Sequence, residues 1–218
     1  MSELKAKVAL VDDHVMLRQG MATLINMEPD LEVSFEAGDG SEALAKLKEN
    51  DSVDIVLLDV TLKTVSGFEV IKSIHALVPS LPVLFVSMHD ETVYAERALH
   101  AGARGYVMKQ EEGDMLVAAI REVLKGNVYL SKQMQTTLLN RITTGSSEPE
   151  ELINTLTPSE FEVLHLIGSG HSSQEIAKLL NRSIKTIETH RYNIRTKLSL
   201  KNSADLIRYA TRWVSKEY

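Results

Sequence analysis

Five short runs rich in β-branched residues recur through the first 125 residues, at 8–11, 32–36, 54–58, 83–86 and 105–108, and a helical pattern follows each. Strands joined through helices pair in parallel, because each crossover helix returns the chain to the same end of the sheet. Such a sheet is covered on both faces, so its strands read as apolar runs. The expected fold of this region is α/β, a doubly wound five-stranded parallel sheet. Asp39-Gly40-Ser41-Glu42 and Ser66-Gly67-Phe68-Glu69 each place a capping side chain three residues before a glutamate, marking two of the helix starts.

The alternation stops after Lys125-Gly126-Asn127. A short apolar piece at 128–130, a polar helical pattern at 132–142 and the polar stretch 143–150 read as a linker containing one helix. No strand signal returns beyond it, and four helical segments follow at 158–167, 174–180, 184–198 and 204–214. Thr157-Pro158-Ser159-Glu160 and Ser172-Ser173-Gln174-Glu175 open the first two of these with capping residues. A chain of 218 residues accommodates the resulting division: residues 1–125, a linker at 126–151, and a smaller all-α domain at 152–218.

Charge follows the same division. Residues 1–125 carry 12 Lys and Arg against 21 Asp and Glu, whereas residues 151–218 carry 10 against 7. An acidic front half repels phosphate backbones, so any polyanion such as DNA would be met by the tail. The absence of cysteine excludes thiolate metal sites and thiol nucleophiles, leaving oxygen or imidazole as metal ligands. No apolar stretch approaches the roughly 20 residues of a membrane span. The opening MSELKAK lacks an apolar signal core, so the expected location is cytoplasmic, without membrane contact.

In a doubly wound sheet, ligands bind beyond the carboxyl ends of the strands. There the first strand ends in Asp12-Asp13, the third in Asp59, the fourth in Ser87 and the fifth in Lys109. Each alone has a local explanation, since aspartate favours turns and helix caps. Together they form a set for phosphoryl chemistry: carboxylate oxygens for Mg²⁺, a carboxylate nucleophile in Asp59, and an ammonium to neutralise a transferring group.

These residues resemble the receiver domain of bacterial response regulators, the domain also found alone in the chemotaxis protein CheY, over roughly residues 6–125. Val11-Asp12-Asp13-His14 is similar to the family's acidic pair, Leu58-Asp59-Val60 to its phosphoacceptor, Val86-Ser87-Met88 to its hydroxyl switch, and Gly105-Tyr106-Val107-Met108-Lys109 to its switch aromatic and lysine. The resemblance implies that Asp13, Asp59 and the backbone carbonyl of Thr61 ligate Mg²⁺, with Asp12 acting through water. It also implies that Asp59 accepts phosphate from a sensor histidine kinase, that Ser87 and Lys109 hold the phosphoryl oxygens, and that Tyr106 rotates inward as Ser87 moves. One departure stands out: Asp59-Val60-Thr61-Leu62-Lys63-Thr64-Val65-Ser66-Gly67 lacks the family's proline and adjacent glycine after the phosphoacceptor. Without proline the loop loses a fixed φ.

In the tail, segments 174–180 and 184–198, joined by Asn181-Arg182-Ser183, have the size and short connection of a helix-turn-helix. At 100° per residue, Ile184, Ile187, Ile194 and Leu198 form an apolar stripe opposite Lys185, Thr189, Tyr192, Asn193 and Thr196. Lys185, Arg191, Arg195, Lys197 and Lys201 face a single acid, Glu188, a balance that attracts phosphates but equally describes a solvated helix face. Leu156-Thr157-Pro158-Ser159-Glu160, Gln174-Glu175-Ile176-Ala177 and Ser183-Ile184-Lys185-Thr186-Ile187-Glu188-Thr189-His190 resemble the LuxR-type DNA-binding domain. Receiver plus this module is the architecture of the NarL/FixJ subfamily. The resemblance places Glu188, Thr189 and Tyr192 near base edges and Lys185, Thr186, Arg195 and Lys197 near phosphates of double-stranded DNA. Arg191 lies near the apolar stripe, so its stem packs and its head reaches a phosphate. His190 reads as a packed, hydrogen-bonded histidine. Segment 204–214, with Leu206, Ile207 and Ala210 on one face, is either a dimer helix or packs within the monomer.

The expected function is a two-component response regulator, not an enzyme, that is phosphorylated on Asp59 and then binds DNA as a homodimer. The alternative is a DNA-binding regulator whose receiver is a phosphorylation-independent interaction domain. An aspartate-dependent phosphatase is disfavoured, because Thr61 stands where those enzymes carry a second aspartate.

Overall fold

The computed structural model describes residues 5–49, 52–144 and 152–215. The expectation for the opening residues falls partly, and that for the linker at 145–151 wholly, outside them. Two compact units are present, Met1–Gly145 and Ser146–Tyr218.

In the first unit β1 (Ala6–Val11), β2 (Leu31–Ala37), β3 (Ile55–Leu58), β4 (Val83–Ser87) and β5 (Gly105–Met108) form one parallel sheet in the order β2-β1-β3-β4-β5. The crossovers are α1 (Val15–Met27), α2 (Gly40–Glu49), α3 (Gly67–Leu77) and α4 (Glu91–His100), and α5 (Gly113–Leu124) follows β5. Every residue of β3 and β4 is buried, as central parallel strands covered on both faces must be. Val8, Leu10, Leu57, Leu84, Val86 and Val107 pack with Met21 and Ile25 of α1 and Leu116, Ile120 and Val123 of α5. The alternate strand residues, such as Ala9, Val56 and Phe85, are equally buried.

Asp54, expected to begin β3, precedes it; its carboxylate accepts the Lys7 backbone N–H at 2.7 Å, a side-chain contact that periodicity does not encode. The Asp39 cap forms as expected, accepting from the N–H groups of Ser41 and Glu42, but Glu42 reaches back one residue further, to Gly38 N. At α3 Ser66 accepts from Phe68 N.

The apolar piece at 128–130 is not free linker. Tyr129 bridges Gly105 in parallel along β5, accepting Tyr106 N–H at 3.1 Å and donating to Arg104 O at 3.0 Å. Gly105 permits this approach, since a Cβ there would lie 2.6 Å from Tyr129 O. The buried Glu91 carboxylate accepts Ser131 N–H at 2.8 Å, and Ser131 Oγ accepts Met134 N–H. The expected polar helix, α6 (Lys132–Thr144), thus starts from the β5 edge and buries Leu130 and Met134 within the first unit.

The second unit is helical: α7 (Pro158–Gly168), α8 (Ser173–Leu179), α9 (Ile184–Lys197) and α10 (Ser203–Ser215). Both expected capping boxes form, Thr157 with Glu160 and Ser172 with Glu175. Ile187, Ile194 and Leu198 are buried, whereas Ile184 in the first turn of α9 remains about half exposed. Leu206 and Ala210 are fully buried, and α10 packs so closely on α7 that a Cβ on Gly168 would meet Ala210 O at 2.4 Å. Most of the apolar face of α10 is therefore used within the monomer, leaving Ile207 about half exposed.

Candidate functional site

The sheet register assembles the pocket. Val11 pairs with Leu58, and Asp59 N donates to Val11 O at 2.9 Å, so the residues after β1 and β3 emerge side by side. At the other side of β4, Lys109 N donates to Ser87 O at 2.8 Å. The Lys109 ammonium, almost wholly buried, lies 2.6 Å from Asp59 Oδ2 and 2.7 Å from Asp12 Oδ2. Ligand atoms of Asp12, Asp13, His14 and Asp59 lie within 4.8 Å of one another. Ser87 is fully buried, and its Oγ accepts His89 N–H at 3.2 Å. The five strand-end residues expected to converge thus share one end of the sheet.

Burial raises the Asp59 pKa, the nearby Asp12 charge adds to this, and Lys109 opposes it; the net shift is upward. A carboxylate held in this way is desolvated yet ion-paired. Among the described residues Asp12 Oδ2 and Asp13 Oδ1 are buried without an aligned hydrogen-bond donor, although Lys109 and His14 respectively stand at ion-pair distance. Anionic oxygens lacking aligned donors suit a hard divalent cation, so the donor set fits Mg²⁺.

The phosphoacceptor loop is closed without proline. Thr61 and Ser66 form an antiparallel bridge, Gly67 N donates to Val60 O at 2.9 Å, and Thr61 N donates to Asp59 Oδ1 at 3.2 Å. Gly67 lies against Asp59 itself, where a Cβ would stand 2.2 Å from the Asp59 carbonyl oxygen. Hydrogen bonds and this close approach define the loop that a proline would otherwise restrain.

Tyr106 is already turned inward. Its ring is buried, its hydroxyl donates to His89 O at 2.9 Å, and burial pushes the phenol pKa upward. Tyr106 thus occupies an inward position in this conformation. His89, which the sequence did not single out, links this side to the phosphoacceptor loop: its ring stacks on Tyr94 at 4.7 Å and its Nε2 lies 2.8 Å from Thr61 Oγ1.

On α9 the residues Lys185, Glu188, Thr189, Tyr192 and Thr196 are exposed, while Thr186, Asn193 and Arg195 are half-buried. The Arg195 guanidinium stands 5.9 Å over the Tyr192 ring. Arg191 has 14% of its side chain exposed, in keeping with a packed stem, and lies 3.8 Å from Glu188. Three details lay beyond sequence reasoning. Lys197 is bound within the unit, its ammonium donating to buried Glu160 at 2.6 Å. Glu188 accepts from Ser173 Oγ at 2.6 Å, which joins α8 to α9. His190 packs as expected, but its buried Nδ1 has no hydrogen-bond partner among the described residues. Glu160 was legible only as a cap, and nothing in its spacing from Lys197 signals the pair.

Among the described residues no helix is long and apolar enough to cross a membrane. Residues 8–121 match the family described as the response regulator receiver domain, and residues 154–210 match the bacterial regulatory proteins of the luxR family. The oxygen regulatory protein NreC of Staphylococcus aureus (strain JH9) is 34% identical over 213 residues, 94% of this chain and 97% of that protein. NreC of Staphylococcus carnosus is 32% identical over 211 residues, with the same coverage. Among solved structures, a two-component response regulator of the LuxR family from Aurantimonas sp. SI85-9A1 aligns with 33% identity and a TM-score of 0.59, over 64% of this chain and 99% of that one. RcsB of Salmonella enterica serovar Typhimurium, bound to the rprA promoter with the phosphomimetic BeF3-, aligns over 95% of this chain and 98% of its own, with 27% identity and a TM-score of 0.57.

Proposed function

The chain belongs to the response regulators that join a receiver domain to a LuxR-type DNA-binding domain, and from that premise we propose that phosphorylation of Asp59 controls its binding to DNA. The observation that carries this reading is the Lys109 ammonium, buried between the Asp12 and Asp59 carboxylates at 2.7 and 2.6 Å. The proposed division is a receiver at 1–125, a connecting segment at 126–151 whose first part docks on β5 through Tyr129, and a DNA-binding domain at 152–218.

An oxygen of Asp59 attacks the phosphorus of a phosphohistidine on a sensor kinase; the O–P bond forms, the N–P bond breaks, and the leaving imidazole takes a proton. Lys109 follows the negative charge from carboxylate to phosphoryl oxygens, and Ser87 supplies a hydroxyl to the same group. Thr61 N–H, on Asp59 Oδ1, holds the carboxylate in orientation. Asp13, Asp59 and the Thr61 carbonyl would hold Mg²⁺, with Asp12 acting through water. When bound, that ion neutralises charge on the transferring group.

Ser87 and Tyr106 form the switch, and Tyr106 is hydrogen-bonded at both ends: its hydroxyl to His89 O and its backbone N–H to Tyr129 O. A shift at Ser87 therefore reaches the segment that leads into α6. Shifting a two-state equilibrium from 1:99 to 99:1 takes about 5.5 kcal/mol of differential stabilisation. A buried phosphoryl group contacting an ammonium and a hydroxyl is a suitable source.

For the output, α8 and α9 form the helix-turn-helix, and α9 enters the major groove. Thr189, Tyr192 and Glu188 face base edges, with Glu188 having to leave Ser173 to do so; Lys185, Thr186, Arg191 and Arg195 face phosphates. The RcsB structures with promoter DNA and as dimers on DNA support a homodimeric complex. The protein acts in the cytoplasm as a transcription regulator, not as an enzyme. The test is DNA affinity measured with and without a small phosphodonor and Mg²⁺. Wild type should gain affinity with the donor and Asp59→Ala should not; equal affinity in all four conditions would establish the phosphorylation-independent alternative.

A further inference from the structure

We propose that His14 is a nitrogen ligand of the acidic pocket, making it a mixed oxygen and imidazole site that takes a divalent transition-metal ion such as Co²⁺ through His14. This rests on the reading above that the pocket binds a divalent cation.

His14 occupies the N-cap of α1, where Ser, Thr, Asp or Asn would bind the free helix N–H groups, yet its side chain makes no capping bond. The ring instead folds back over the carboxylates, with Nδ1 2.9 Å from Asp13 Oδ1 and 3.3 Å from Asp12 Oδ1. The His14 backbone N–H donates to that same Asp12 oxygen at 2.8 Å, which fixes the residue relative to the pocket. Two ligands at right angles around an octahedral ion with bonds near 2.1 Å stand about 3.0 Å apart. Nδ1 and Asp13 Oδ1, 2.9 Å apart, therefore have the spacing of neighbouring donors on one ion.

A second observation points the same way. The Asp12 side chain is only 2% exposed and its Oδ2 is paired with Lys109 at 2.7 Å, while Asp13 Oδ1 is buried with no aligned hydrogen-bond donor among the described residues. The His14 ring is 63% exposed, so it is free to turn its lone pair toward an entering ion. Carboxylate oxygens accept Mg²⁺ and Mn²⁺, whereas imidazole favours later transition metals. With Mg²⁺ the nitrogen would be left out and water would take its place; with Co²⁺ it would bind.

The test is calorimetric titration of the full chain with Mg²⁺ and, separately, with Co²⁺, for wild type, His14→Gln and Asp13→Asn. Replacing an imidazole ligand should cost at least the roughly tenfold that loss of an outer-sphere partner brings. His14→Gln should thus weaken the pocket's Co²⁺ affinity about tenfold or more and leave Mg²⁺ affinity within about twofold. Asp13→Asn should weaken both, and any Co²⁺ binding it retains belongs to the other histidines. The Co²⁺-loaded wild type should show a nitrogen coupling by electron spin echo that His14→Gln lacks. Equal Co²⁺ affinity in wild type and His14→Gln, or a nitrogen coupling that survives the substitution, overturns the assignment and leaves His14 as a hydrogen-bond partner of Asp12. If wild type binds neither ion more tightly than Asp13→Asn, the failure lies instead in the cation pocket itself.

Discussion

Replacing Lys197 with Met separates a residue that holds the helical unit together from one that meets DNA. Lys197 donates at 2.6 Å to Glu160 Oε2, which also accepts the Thr157 N–H at 2.8 Å. Burial alone would raise the Glu160 pKa, but the hydrogen bonds from Lys197 and Thr157 outweigh it and hold the carboxyl below its ordinary value. The pair is asymmetric: the Glu160 side chain is 4% exposed and that of Lys197 33%. An ammonium released at that depth regains water, whereas the carboxylate does not, so removing the lysine costs more than removing the acid. A hydrogen bond to a charged group contributes about 1.5–3 kcal/mol and an exposed pair under about 1 kcal/mol. The partial exposure of Lys197 puts Lys197→Met near 2 kcal/mol, with Glu160→Gln costing less. In a unit of this size that is a fall of roughly 10 °C in Tm. The assay is thermal and urea unfolding followed by the fluorescence of the single Trp213, which contacts Phe161 of α7. Because the folded pKa of Glu160 is depressed, its contribution is present at neutral pH and is lost as pH falls through that value. The deficit of Lys197→Met should therefore shrink in acid. A Tm unchanged within about 2 °C, together with a DNA salt slope reduced by roughly one, would show Lys197 to be a phosphate contact and refute the argument from burial.

Asp59→Asn should raise the stability of the first unit at neutral pH, because a folded pKa raised by burial means the ionised carboxylate opposes folding. The advantage should be larger at pH 8 than at pH 5, as melting curves will show; a variant less stable at both would mean that the Lys109 contact outweighs desolvation. Gly105→Ala places a methyl 2.6 Å from Tyr129 O and 2.9 Å from Leu84 Cδ1, and should destabilise by about 1–3 kcal/mol. Its amide exchange should accelerate at Tyr129 and Ser131; unchanged protection there would deny the strand-like attachment of this segment. On DNA, Lys185→Ala should weaken binding uniformly and lower the salt slope by about one, whereas Tyr192→Ala should alter sequence preference. The opposite pattern in binding across operator variants would reverse the roles assigned on α9.

Much of the sheet was legible because central parallel strands such as 55–58 carry apolar residues on both faces, and because capping signals such as Thr157 with Glu160 are local. The pocket was legible because strand ends fall at one edge by topology, so Asp12, Asp59 and Lys109 meet without any signal of their own. Contacts made across the fold were not. Nothing in the pattern around Tyr129 shows that its backbone pairs with β5, since an isolated bridge needs only a free edge and a glycine opposite. Lys197 looked like one more cation on a basic helix until Glu160, 37 positions earlier, was found beneath it. The missing proline after Asp59 suggested a loose loop, but the Thr61–Ser66 bridge and the packing of Gly67 on Asp59 restrain it by other means.

The most direct measurement is the intact mass of the protein after incubation with a small phosphodonor and Mg²⁺. An increase of one phosphoryl group, mapped to Asp59, absent in Asp59→Asn and much reduced in Lys109→Met, is the expected result. No increase in wild type, or one that persists in Asp59→Asn, would contradict the assignment of this pocket.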